Sequence, residues 1–258
     1  MARKAPTKTS AAKPLQLANP PVQEVVYHVR AVVPAPPEPL RIKDSLAAEL
    51  ARDYPIVEEF NLYQHTVQPG AMSMQVQGGL YGLRFSNRKG TQVVHFTPHG
   101  LVMNWLKPYP GYAKCLTKAK KLWKLYAKYY SPISVEEVSM RYIDHIRIPL
   151  EKGTVNLGDY ITTAINIPNI KGLLISGFNQ VIEYNKVPEN IRTRLNLATL
   201  PPQDHVLPIL LDHEAFINLR NTKDRTVQDI WHALEQAHRW NSKFFQASLT
   251  PKCLALFA

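Results

Sequence analysis

A chain of 258 residues, 45% of them hydrophobic and 20% charged, is long enough for one large domain or two small ones and too apolar to stay disordered throughout. It has no apolar run near the ~18 residues that span a bilayer, no secretory h-region in MARKAPTKTSAAKPLQLANPP, and only two cysteines, Cys115 and Cys253, too few for a disulfide framework or a cysteine-based zinc site. Its net charge of +11 is concentrated: from Phe60 to Val135 there are ten lysines and arginines and no acid, a one-signed field of the kind that attracts polyanions.

Residues 1–21 read as a flexible basic arm carrying Arg3, Lys4, Lys8 and Lys13. A first strand is predicted over Val25–Val33, broken by the prolines of PAPPEP (34–39). Ile42, Leu46, Leu50 and Tyr54 keep helical spacing up to Pro55. A β-rich stretch follows. In YGLRFS, Tyr81, Leu83 and Phe85 share one face and Arg84 takes the other. SNRKG, with Gly90 free to adopt positive φ, turns into TQVVHF. TPHG then turns into LVMNWL, and KPYPG (107–111) ends the meander.

A long helix is predicted next, through KCLTKAKKLWKLYAKYY. At 100° per residue, Tyr112, Leu116, Ala119, Trp123, Tyr126 and Tyr130 form a stripe that would pack on a sheet. Lys114, Lys118, Lys121, Lys124 and Lys128 lie opposite, with Lys120 at the border, and Ser131–Pro132 stop the helix. The strand VEEVSMRYIDHIRIP follows. Further strand-like segments are GLLISGFNQVIEY, IRTRLNLATL and VLPILLDHEAFINL. A second long helix starts at Thr226, with Asp229 as an acidic capping-box partner, and Thr250–Pro251 suit the N-cap and first position of a short last helix. Both cysteines fall in helices, where a buried reduced thiol is expected. The expected class is α+β: antiparallel sheet with two long amphipathic helices, arranged as two related lobes, 22–150 and 151–258, or as one domain.

The stretch MRYIDHIRIP (140–149), with NPPVQEVV (19–26), RDYP (52–55) and AHRWNSKFFQASLT (237–250) in the same order, resembles a family of uncharacterised, sporadically distributed prokaryotic proteins of similar length. The family pattern reads Arg-Tyr-Ile-Asn-Arg-Ile. Arg141, Tyr142, Ile143 and Ile146 match it, while Asp144 stands in place of Asn and His145 in place of Arg. The resemblance implies a cytoplasmic prokaryotic protein of α+β fold. It implies no substrate.

In the strand around 138–148, Asp144 points with Val138, Met140, Tyr142, Ile146 and Ile148 toward the core. A carboxylate there is either a pKa-shifted acid or base, or a structural anchor satisfied by an arginine or by backbone amides. Ser139, Arg141, His145 and Arg147 take the opposite face, as a phosphate-holding surface or a solvated one. Asp212, His213 and Glu214 alternate along a strand, so all three cannot converge on a metal, and no metal or cofactor is expected. His95 and His99 read as a strand and a turn residue. His232 and His238 lack zinc-protease spacing, and no Walker A loop, dinucleotide fingerprint or nucleophile elbow is present.

The lysine helix remains. Lys114–Lys118, Lys120–Lys124 and Lys124–Lys128 are like-charged i,i+4 pairs, which repel by a few tenths of a kcal/mol each. A bound anion would explain them. The leading expectation is a nucleic-acid-binding accessory protein of low sequence specificity, contacting phosphates through Lys114, Lys118, Lys121, Lys124 and Lys128, with Arg84, Arg88, Lys89 and the basic arm. The alternatives are a scaffold for an acidic protein partner, and an enzyme whose inter-lobe cleft draws on Arg141, Asp144 and His145.

Overall fold

A computed structural model describes residues 17–67, 74–151, 153–163, 177–220 and 227–258, apart from the side chains of 62–67 and 74–78. The elements in chain order are β1 (Val22–Val32), α1 (Pro39–Leu50), β2 (Ile56–Val67), β3 (Met74–Ser86), β4 (Gln92–Thr97), β5 (Gly100–Leu106), α2 (Tyr112–Tyr130), β6 (Ser134–Pro149), β7 (Asn179–Lys186), β8 (Ile191–Thr199), β9 (Val206–Asn218), α3 (Val227–Ser248) and α4 (Pro251–Leu254). The fold is α+β. The strands form one antiparallel sheet in the order β2-β3-β4-β5-β1-β6-β9-β8-β7. β6 carries that sheet across the chain's midpoint, pairing with β1 on one side and with β9 on the other.

The alternation of each strand decides what faces what. Val25, Tyr27 and Val29 of β1, Met103 and Trp105 of β5, and Val138 and Met140 of β6 are buried on one face. There they meet Leu46 and Leu50 of α1, Ala119, Trp123, Tyr126 and Tyr130 of α2, and Leu234 and Ala237 of α3 in a single apolar cluster. A second cluster lies farther along the same face, where Ile146, Ile148, Leu195, Leu197, Ile209 and Leu211 pack against Tyr160, Leu249, Cys253 and Phe257. Burial pushes the Cys115 thiol up to about 12 and that of Cys253 up to about 11, so both are inert neutral packing groups. No described helix is long and apolar enough to cross a membrane.

The other face of the sheet is a polar ladder. Arg141 grips Asp212 with Nε and Nη2 at 2.7 and 2.6 Å, Ser139 donates to Glu214 Oε1 at 2.6 Å, and Arg30 reaches Glu136 at 3.4 Å. Such cross-strand pairs set register as well as solubility.

Of the predicted arm, residues 1–16 lie outside the described residues. Within 17–21, Pro21 is buried and its carbonyl accepts the His145 amide at 3.0 Å, and the amide of the exposed Asn19 donates to the Phe257 carbonyl at 3.1 Å. The opening of GLLISGFNQVIEY falls on residues 172–176, outside the described residues, and its strand begins at Asn179. Thr226 is likewise outside, so α3 is described from Val227. At the last helix the sequence and structure agree: Thr250 Oγ1 caps α4 by accepting from the Cys253 amide at 3.2 Å.

Between β4 and β5, Gly100 has φ +143°, and a Cβ there would lie 2.2 Å from the Val29 carbonyl oxygen. The turn therefore closes directly against the central strand and admits no side chain. Gly100→Ala is expected to cost roughly 2–4 kcal/mol, read as a lower urea midpoint at unchanged m-value.

Candidate functional site

The structure separates the basic residues of the acid-free window into engaged and free groups. Lys118 is half-buried, donates to Gln92 Oε1 at 2.7 Å and lies over the Tyr54 ring. Lys120 lies 5.7 Å from the Trp231 ring centroid. Lys128 pairs with Glu49 of α1 at 2.6 Å, and the same carboxylate accepts from Tyr129 Oη. Lys114, Lys121 and Lys124 are exposed and, among the described residues, make no ion pair. So do Arg88 and Lys89, at the tip of the β3–β4 turn. Arg84 is elsewhere. It registers opposite His95, pairs with Glu58 of β2, and faces away from α2, because Leu83 and Phe85 on either side of it are in the core.

Lys118 also sets where the turn lies relative to the helix. Gln92 begins β4, and the Asn87 side chain accepts its amide at 3.1 Å while donating to Thr91 Oγ1 at 3.0 Å. The turn that carries Arg88 and Lys89 thus starts from a residue seated against α2. An acid-free window in the chain is not an acid-free surface, since Glu49 and Glu58 come from outside the window to two of its cations.

Arg141, Asp144 and His145 do not converge. Arg141 is committed to Asp212 on the polar face, and His145 is exposed there. Asp144 is buried on the helical face at 1% exposure, and neither of its oxygens has a hydrogen-bond partner among the described residues. It is not an anchor held by an arginine or by amides. What lies beside it is His213, equally buried, with Nδ1 at 3.7 Å from Asp144 Oδ2.

Burial first, and the charge of Asp212 second, push the Asp144 carboxyl up to about 8. Burial pulls His213 down to about 4, against the opposing pull of Asp212 and of a hydrogen bond with the Asn241 backbone. Near neutral pH both groups are therefore mostly uncharged. At 3.7 Å the pair is a contact between neutral groups and not a salt bridge.

Around this pair the sheet and α3 bring together a polar seam between the two apolar clusters. Tyr142 Oη lies 3.0 Å from His238 Nδ1 and 3.4 Å from Tyr109 Oη, and its ring lies nearly parallel to that of His213. Asn241 donates Nδ2 to the Met140 carbonyl at 2.8 Å and leaves Oδ1 unpartnered. His238 is stacked at 3.9 Å on Tyr112, the first residue of α2. Burial lowers the His238 pKa and raises those of Tyr142 and Tyr109.

The alternation of β6 and β9 was enough to place Asp144 inward and to separate His213 from Asp212 and Glu214. Their meeting depends on the β6–β9 register, in which Asp144 faces Leu211 and Tyr142 faces His213, and nothing local in the sequence encodes that register. Among the described residues no group of three or more His, Cys, Asp or Glu side chains is placed to hold a metal ion. No protein-family model matches the chain, and no curated protein is similar to it in sequence.

The Asp144 carboxyl has a stability consequence with a definite sign. Its folded pKa of about 8 stands above its ordinary 3.8, so the folded state favours the protonated form and loses stability as pH rises from about 4 to about 8. Asp144→Asn removes that loss. Urea titrations at pH 5, 6.5 and 8 should show the variant gaining on the wild type by at most about 1.4 kcal/mol per pH unit. The gap should be flat above pH 8.

Proposed function

We propose that this is a cytoplasmic prokaryotic nucleic-acid-binding accessory protein that holds phosphate backbones on α2 and on the β3–β4 turn. The observation that supports it most directly is the charge around α2. Six lysines lie on one helix, and among the described residues a single carboxylate, that of Glu49, pairs with any of them.

The other long helix serves as an internal comparison. α3 carries Asp229, Glu235, Arg239 and Lys243, and Arg239 pairs with Glu235 one turn away. That is how an amphipathic helix ordinarily meets water. α2 leaves Lys114, Lys121 and Lys124 uncompensated, which costs the free protein a little and favours an anion on that side. The reading of two related lobes belongs to this proposal. β1–β5 and β6–β9 are each an antiparallel run whose last strand lies back beside its first, followed by a long helix. On that reading α2 and α3 are counterparts, and only α2 has an all-lysine outer face.

Lys114, Lys121, Lys124, Arg88 and Lys89 would contact phosphates directly. Lys118 and Lys128 would act by placing the turn and α1 beside them, and Arg84 would take no part. With five phosphates neutralised, duplex binding should show a log–log salt slope of about −4.5. Changing Lys114, Lys121 and Lys124 together to Gln should reduce that slope by about three units at unchanged melting temperature, while Lys128→Gln should change it little. Fluorescence anisotropy on a labelled duplex and on single-stranded RNA, from low to moderate salt, measures both. Absence of binding at low salt, or a triple variant that binds like the wild type, would turn the face over to an acidic protein partner or to water.

A further inference from the structure

A cavity of about 380 Å³ opens at the polar seam, within the range of small-molecule sites. β6 and β9 form its floor and α3 one wall. Pro20–Val22 and Tyr109–Gly111 close the side nearest β1. β1 is irregular at this point, its register with β6 shifting between Val22 and Glu24 just opposite Asp144. Strand bulges of this sort re-aim side chains beside sites.

The hydrogen-bonding groups facing the cavity are unbalanced. Asp144 Oδ1 and Oδ2, Asn241 Oδ1 and His213 Nδ1 are all buried and all without a partner among the described residues. The hydrogen bond between the Asn241 backbone and the His213 imidazole leaves Nδ1 as the acceptor nitrogen of a neutral ring. Of the donors that line the cavity, Asn241 Nδ2 is committed to Met140, Ser242 Oγ to the His238 carbonyl and Tyr142 Oη within its contacts to His238 and Tyr109, while the half-buried Gln246 amide borders the cavity. Leaving buried acceptors unpaired costs about 1–3 kcal/mol each, and once Asp144 is ionised the cavity holds four of them, which calls for a ligand that donates. The walls are aromatic, with the rings of Tyr109, Tyr142 and Phe245 around the same space. Their faces attract cations.

We infer that this cavity is a binding site for a small organic cation rich in N–H donors, a primary ammonium, amidinium or guanidinium group on a compact body. An anion would meet no cation and, once Asp144 is ionised, a like charge. A metal ion would find Asp144 and His213, with His238 engaged by Tyr142, and no three such side chains among the described residues are placed to hold one. The site is independent of the lysine face of α2.

The titratable groups that face Asp144 are Tyr142 on its own strand, His213 on β9, His238 on α3 and Tyr109 before α2. Asp212 and Arg141 act through the sheet from the far side. Residues Leu17 and Pro20–Val22 bring no charge. Among these, Asp144 is the carboxyl, and its pKa of about 8 lies near neutrality. Cation binding draws out its proton, so affinity rises with pH up to that value.

Isothermal titration calorimetry with benzamidine as the probe, and with benzamide and benzoate as uncharged and anionic controls of the same shape, tests the inference. The wild-type protein should bind benzamidine saturably and neither control, with affinity at least tenfold higher at pH 8 than at pH 6. Asp144→Asn should weaken binding by at least tenfold. Ser242→Trp keeps Asp144 and fills the cavity with an indole, so it should abolish binding even if the aspartate variant folds poorly. Thermal unfolding of each variant establishes that it is folded, and duplex binding at low salt should be the same in all three proteins. Absence of benzamidine binding, equal binding of benzoate, or equal binding by both variants would overturn the site and make the seam a packing irregularity.

Discussion

The rest of the molecule hangs on β6. Its ladder with β1 on one edge and β9 on the other joins the two runs of strands into a single sheet. Its strict alternation then assigns every second residue to the helices and every other one to the polar face. A shift of one residue in that register would carry Val138, Met140, Ile146 and Ile148 into water and Arg141 and Arg147 into the core. The apolar residues and the Arg141–Asp212 grip on the opposite side enforce the same register from both faces. Agreement of this kind gives a sheet one structure.

How much of this was legible in the sequence follows from the range of each interaction. The strand faces, the stop of α2 at Ser131 and the Thr250 cap are set by neighbours a few residues away, and they could be read directly. The direction of Asp144 was legible for the same reason. Its contact with His213 was not, because it depends on pairing residues about seventy apart, and neither the Tyr142–His238 contact nor the place of Asn241 leaves a local trace. The end of the basic stretch shows the same limit. Residues 17–21 look like a linker by composition, yet Asn19 and Pro21 are held by Phe257 and His145, which are distant in the chain.

Charge behaved in the same way. An acid-free run of residues describes a surface only if no carboxylate arrives from elsewhere, and here Glu49 and Glu58 do. Cations that the chain groups together divide by secondary structure as well: α2 and the β3–β4 turn keep theirs on one side, while the alternation of β3 sends Arg84 to the other. The remaining free charges are fewer than composition suggests, but they lie closer together in kind, all on one helix and one adjoining turn.

The polar seam also divides the molecule's cooperativity. Apolar contact is continuous within each cluster and is interrupted where Tyr142, Asp144, His213 and Asn241 meet, and β6, β8, β9 and α3 run past the seam to contribute to both. Beyond the seam the cover formed by the described residues is the end of α3, the four residues of α4 with the turn that follows, and the turn around Tyr160, each of them short. That end has less to lose on opening, and the amides of α4 should exchange with solvent through a partial unfolding that leaves α2 and its sheet intact. The protein would then consist of a stiff half bearing the lysines and a softer half, joined through the strands that pass the residues lining the cavity.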